Sequence, residues 1–313
     1  MTVRTWTDPR RTALAGRLGL ALLLAALART SPALQATLPA GPLRPGSVAV
    51  CKVEGLAPVG MTLAGFSQEA GFYFSKASGA WVALMAVPLE ARPGRRRVEL
   101  RWPGGSEDRW VEVRSDPSPG VRAISVRGLD RRLEASEGAG DGGLLKRRQK
   151  GRAPLPLWRG TFAWPLSGAI TVTSPFGLRR VYNRGRAEWR HRGVDLRAPR
   201  GTPVLAANDG VVVLVRRRMA LTGGTVVIDH GYGLTSSYFH LGALAVREGQ
   251  AVAKGQVLGS SGASGLAAGP HLHFELRLHG RAVSPLQWLQ HPAGGGDARL
   301  AADWARAPAP GPI

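Results

Sequence analysis

Seven histidines are spread along this 313-residue chain, and four of them sit in short contexts that could serve one centre. The contexts are His191-Arg192-Gly193-Val194-Asp195, Tyr238-Phe239-His240-Leu241 and Pro270-His271-Leu272-His273-Phe274-Glu275. In the last of these, strand alternation sends His271 and His273 to one side, while Leu272, Phe274 and Leu276 point into a core. Two such rings can both reach one cation, or can supply one ligand and one proton-transfer group. His191 and Asp195 widen the donor set. Imidazole nitrogen and carboxylate oxygen both suit zinc, and a reactive zinc takes three protein donors and keeps a position for water. That arrangement acidifies the water and polarises a carbonyl. Gly193, between His191 and Asp195, is expected to let the chain bend so that the two heads converge. His230 reads as a turn residue after a strand, His279 as part of a hairpin turn, and His291 as the opening of a tail.

The elements that must carry these residues are mainly β. Between Trp158 and Gln290, Val211 to Val215, Val226 to Ile228, Leu234 to His240 and His271 to Leu278 read as strands, with glycine in the gaps. This is the pattern of an antiparallel β domain with long loops. Upstream, residues 44–115 hold short strand-like runs divided by Pro- and Gly-rich turns. Val98-Glu99-Leu100-Arg101-Trp102 alternates cleanly, and a small β-sandwich is expected there, with a packing or positioning role. Residues 116–157 read as a solvated linker or long hairpin, containing the basic run Lys146 to Arg152, which could instead clamp an anionic wall. Residues 292–313 are rich in Gly, Ala and Pro and read as a flexible tail.

Composition narrows the setting. Arg4, Arg10, Arg11 and Arg17 precede the apolar run Leu18 to Ala28, which ends in the small-residue site Ala26-Leu27-Ala28. Residues 1–36 therefore read as a secretory signal and N-terminal segment. The apolar run is shorter than the ~20 residues of an ordinary span, so contact with a membrane is expected only if the signal stays uncleaved. The net charge is +21, and all basic residues except Lys52, Lys76, Lys146, Lys150 and Lys254 are Arg. Such a surface favours polyanions. Export makes nucleic acid the wrong partner and an anionic wall polymer the better one. Cys51 is the single cysteine, so no internal disulfide exists, and it reads as a packed strand residue.

Residues 158–290, about two fifths of the chain, resemble the M23 metallopeptidases, the lysostaphin-type or LytM-type domain. The likeness runs through Ser174-Pro175-Phe176-Gly177, His191 to Leu196, Ala198 to Val204, Asp229 to Gly233, Tyr238 to Leu241, Gly255-Gln256 and Gly269 to Glu275, in the family's order. The resemblance implies a mainly β fold of the duplicated hybrid motif type over 158–291, with an Ig-like module over 44–115. It implies one zinc ion per chain held by His191, Asp195 and His273, with His240 and His271 as catalytic histidines. It also implies peptidoglycan stem peptides or cross-bridges as substrate, at the cell envelope, in the periplasm or outside the cell. Some relatives have lost ligands and only activate other wall hydrolases, whereas all five positions are filled here. Arg192 and Ala268 depart from the usual small polar residue and Thr. A zinc-stabilised structural or adhesive envelope protein is the further alternative.

Overall fold

The structure, a computed structural model, describes residues 35–289 apart from 56, 58, 76–77 and 116–119. The secretory signal, the C-terminal tail and His291 expected from the sequence lie outside the described residues.

Two small antiparallel sheets open the chain. One includes β1 (Val48–Val53), β4 (Tyr73–Ser75) and β5 (Ala80–Ala86), with β5 between the other two. The other orders β3 (Gln68–Gly71), β2 (Thr62–Gly65), β6 (Gly94–Trp102) and β7 (Gly105–Val113). Alternation works as expected in β6: Val98 and Leu100 are buried, Glu99 is half-buried and Arg101 is exposed. Cys51 is fully buried in β1, and burial pushes its thiol up to about 12, so it packs as an inert apolar side chain.

Residues 116–157 depart from a solvated linker. Their described part carries β8 (Val121–Ile124), α1 (Leu129–Gly138) and α2 (Asp141–Arg148). Leu144 and Leu145 of α2 cover Leu214, Met219 and Val227. Gln149 is buried and donates to Ser237 Oγ at 2.9 Å, while its carbonyl accepts from Thr235 Oγ1 at 3.1 Å. The polar composition hid these anchors, because single apolar pairs and single side-chain hydrogen bonds leave no periodic signal.

The rest of the chain is built on a ten-stranded sheet. Its main path runs β9 (Val172–Ser174), β12 (Val194–Arg197), β19 (His271–Leu278), β16 (Leu234–Leu244), β15 (Gly223–Asp229), β14 (Gly210–Met219) and β17 (Ala251–Val252). Off that path, β13 (Pro203–Leu205) pairs with β18 (Val257–Ser261), β18 also pairs with β16, and β20 (Arg281–Val283) pairs with β19. The pairs between these strands are antiparallel. A hairpin of β10 (Arg179–Tyr182) and β11 (Ala187–Arg190) stands apart and takes β8 as a parallel third strand.

One apolar core joins the upstream sheet to this domain. Val48, Val82, Leu84 and Ala86 pack in the same cluster as Trp158, Phe162, Leu272, Phe274 and Trp288. Polar contacts pin the seam: Leu84 N donates to the Tyr232 hydroxyl at 3.1 Å, and that hydroxyl donates to the Gly71 carbonyl. His279, expected in a hairpin turn, sits at the same seam with Nε2 at 3.3 Å from the Leu84 carbonyl.

Candidate metal centre

The register of β12 against β19 builds the centre. Asp195 faces His273 across the pair and Arg197 faces His271, so all four share one side of the sheet. Leu272, Phe274 and Leu276 are fully buried on the other side, as the alternation predicts. His191 arrives from the turn between β11 and β12, where its backbone N–H donates to the Leu178 carbonyl at 2.8 Å.

The three heads meet. His191 Nε2 is 2.9 Å from His273 Nδ1 and 3.0 Å from Asp195 Oδ1, and His273 Nδ1 is 2.9 Å from the same oxygen. These atoms lie within 4.8 Å of one another and all three residues are buried. Three lone-pair donors at such spacing repel unless a proton or a cation lies among them. The electrostatics reflect that demand. Burial drives His191 down to about 4 against the pull of the Asp195 carboxylate. Burial alone would raise Asp195, but hydrogen bonds from both rings hold it well below the usual carboxylate range. Burial also works against charge on His273, yet the Asp195 and Glu275 carboxylates outweigh it and raise this ring. The donor set fits a divalent cation: two nitrogens and one carboxylate oxygen, the composition zinc takes in hydrolytic sites.

Neighbouring groups aim these donors. The His191 Nδ1–H donates to the Pro175 carbonyl at 2.8 Å, which turns the Nε2 lone pair to the cluster. Arg180 on β10, which the sequence reading missed, donates to Asp195 Oδ2 and, at 2.8 Å, to Ser174 Oγ. It leaves Oδ1 for the cluster. Phe239 stacks flat on the His273 ring, with centroids 5.2 Å apart at 7°. Arg180 was masked in a run of similar arginines; the hairpin that aims it inward is a tertiary feature.

Gly193 sits at a bend just before β12, as expected, and it also works by clearance. A Cβ built there would meet the Phe274 carbonyl oxygen and approach His273 Nε2 to 2.8 Å. Only glycine lets β12 lie this close to the ring.

The two remaining histidines flank the cluster. His271 Nε2 is 3.8 Å from Asp195 Oδ1, and its Nδ1–H donates to the Gly269 carbonyl at 2.8 Å. His240 needs more than alternation to reach the site, since Tyr238 is in the core and Phe239 already lies against His273. The register of β15 on β16 shifts between Gly224 and Val226, and His240 takes a left-handed backbone with φ 64°. That bulge turns its ring to within 4.7 Å of His271, centroid to centroid. Its Nδ1–H donates to the Ser264 carbonyl at 2.8 Å. Burial, then His271 and His273, push it down to about 3. In both flanking rings a backbone carbonyl takes the Nδ1–H, which leaves Nε2 for the site.

Residues 189–285 match the profile of peptidase family M23. The chain carries an M23 peptidase domain. Peptidoglycan DD-endopeptidase ShyA of Vibrio cholerae is 38% identical over 131 residues, which cover 42% of this chain and 30% of ShyA. Murein hydrolase activator NlpD of Salmonella dublin is 31% identical over 137 residues, covering 44% of this chain and 32% of NlpD. The chain thus spans about a third of the length of these relatives. A crystal structure of a peptidase M23 from Pseudomonas aeruginosa matches 77% of this chain and 92% of its own, with TM-score 0.60 and 28% identity. That match extends well beyond the M23 domain itself.

His230 stands apart from the cluster, directly after β15 at the opening of a Gly-rich turn, as expected, and its side chain is packed in the core. It is fully buried, with Nδ1 2.6 Å from the Asp209 carbonyl oxygen and Nε2 2.7 Å from Ser236 Oγ. Ser236 Oγ is in turn 3.0 Å from the Tyr238 hydroxyl.

Proposed function

We propose that this chain is a zinc metalloendopeptidase that hydrolyses peptide bonds in the stem peptides or cross-bridges of peptidoglycan, exported to the cell envelope. One observation carries the reading. His191, Asp195 and His273 bring three donor atoms within 4.8 Å, with His271 and His240 beside them. ShyA, named a peptidoglycan DD-endopeptidase, supports the substrate class, as does the chain's net charge of +21 against an anionic wall.

When bound by His191, Asp195 and His273, zinc supplies a Lewis acid that acidifies water and polarises a carbonyl. The remaining chemistry belongs to the chain. His271, with Nδ1–H committed to Gly269, presents Nε2 to take a proton from the attacking water. Once charged, it can return that proton to the leaving amine. His240, tied to Ser264, presents Nε2 in the same sense. From there it can share the proton transfer or, once protonated, steady the oxyanion or assist the leaving amine. Arg180 and the Pro175 carbonyl keep the donors aimed, and Phe239 holds the His273 ring in plane.

The name of NlpD favours a second reading, a non-catalytic activator of other murein hydrolases. Substituting the proton-transfer groups separates the two. His271→Ala and His240→Ala should each lower turnover of cross-linked muropeptides by ~10²–10³-fold while metal content stays equal to that of the parent protein. A parent protein that holds zinc, cleaves nothing alone and accelerates a second hydrolase would establish the activator instead.

A further inference from the structure

On the side of the sheet that carries the centre, most charges are already matched. Arg180 is held by Asp195, and Arg277 donates to Glu275 at 2.6 Å. Glu275 also lies 3.9 Å from His273 Nε2. Arg197 is different. It follows Asp195 by two positions on β12, so it projects from the same side, and it stands directly opposite His271 on β19. Paired side chains in such a register have Cβ atoms roughly 5 Å apart. Arg197 is exposed, and among the described residues no carboxylate lies within 4.0 Å of it. Its backbone N–H is fixed to the Thr171 carbonyl at 2.9 Å, which ties the strand end in place. The next inward position, Leu196, is fully buried, so the strand cannot roll to take Arg197 elsewhere.

An unmatched guanidinium beside a proton-transfer ring recognises a carboxylate well, because its fork of donors matches two oxygens. It is a poor neighbour for a substrate that is neutral there, since desolvating the charge gains nothing in return. We propose that Arg197 forms a carboxylate subsite of the cleavage groove. It selects peptides with a free carboxylate on a residue next to the scissile bond over the same peptides carrying a carboxamide. This rests on the peptidase reading and names the substrate feature that the site sorts. Arg197 acts by binding and takes no part in proton transfer.

The test uses cross-linked muropeptides in two forms, as isolated and after chemical amidation of their free carboxyl groups. A charge-assisted pair of this kind changes kcat/KM by about tenfold to a hundredfold. The parent protein should show that loss on amidation, mostly in KM. Arg197→Ala should show it already with the free acid and lose little more on amidation, and Arg197→Lys should keep part of the preference. Zinc content and circular dichroism should match the parent in both variants. A parent protein indifferent to amidation, or an Arg197→Ala variant with the parent's ratio, would overturn the subsite. If the parent cleaves neither form, the peptidase reading fails separately. Calorimetric binding of the two forms then decides on Arg197: a free-acid preference lost in Arg197→Ala supports the subsite, and equal binding ends it.

Discussion

At the scale of single residues, the centre depends on clearances and aiming bonds as much as on its donors. Gly193 shows this. Alanine there would press on the Phe274 backbone and the His273 ring, and overpacking of this sort costs about 1–3 kcal/mol. Gly193→Ala should therefore lower both zinc affinity and melting temperature, measured by competition with a chelating dye and by calorimetry. Unchanged affinity would show that β12 can shift freely. Arg180 aims Asp195 from behind. Arg180→Met should weaken metal binding by ~10–100-fold, the usual effect of losing a group that orients a ligand. Arg180→Lys should restore part of it. His273→Ala, which removes a donor outright, should abolish stoichiometric zinc.

At the scale of elements, strand alternation explains what could be read directly from the sequence. His271 and His273 had to share a side because Leu272, Phe274 and Leu276 needed the other, and the structure places all five so. Asp195 and His191 were legible from donor type and from the family resemblance. The convergence with His240 was not derivable from periodicity, since a bulge and a left-handed residue override it. The segment before the M23 domain was misread for a related reason: its helices are polar, and their anchors are scattered. Arg152 N and Ala153 N donate to Asp229 Oδ2 at 2.6 and 3.2 Å, and Asp141 accepts from Ala220 N at 2.9 Å. Among the described residues of 121–157, none hydrogen-bonds to the five site side chains. A chain beginning at Trp158 should accordingly be less stable than the full chain, because it uncovers Leu214, Met219 and Val227 and strips partners from Asp229. An equal melting temperature for the two would contradict the packing described.

At the scale of the whole molecule, stability should depend on pH through the buried histidines. His230 is the clearest, because burial takes it from about 6.5 to about 4 and it stands outside the metal cluster. The folded protein binds this proton less readily than the unfolded chain. Its stabilising contribution is present in full above pH ~6.5 and is lost as pH falls toward 4, by up to ~3 kcal/mol. Urea titrations at pH 7 and pH 4.5 should show a smaller difference for His230→Gln than for the parent. Equal differences would remove His230 from the account. The shared core of Val82 and Leu84 with Trp158 and Trp288 further predicts that the upstream sheets and the M23 domain unfold in one transition.

No helix among the described residues is long and apolar enough to cross a membrane. The proposed wall substrate is open to test with the isolated protein and isolated wall. The most direct measurement is mass analysis of fragments released from purified peptidoglycan by the zinc-loaded chain. Peptide-bond cleavage products should form, vanish when a chelator strips the metal, and return on adding zinc. Release of nothing by the zinc-loaded chain, or release that a chelator leaves untouched, would contradict the assignment of His191, Asp195 and His273 as the heart of a peptidase.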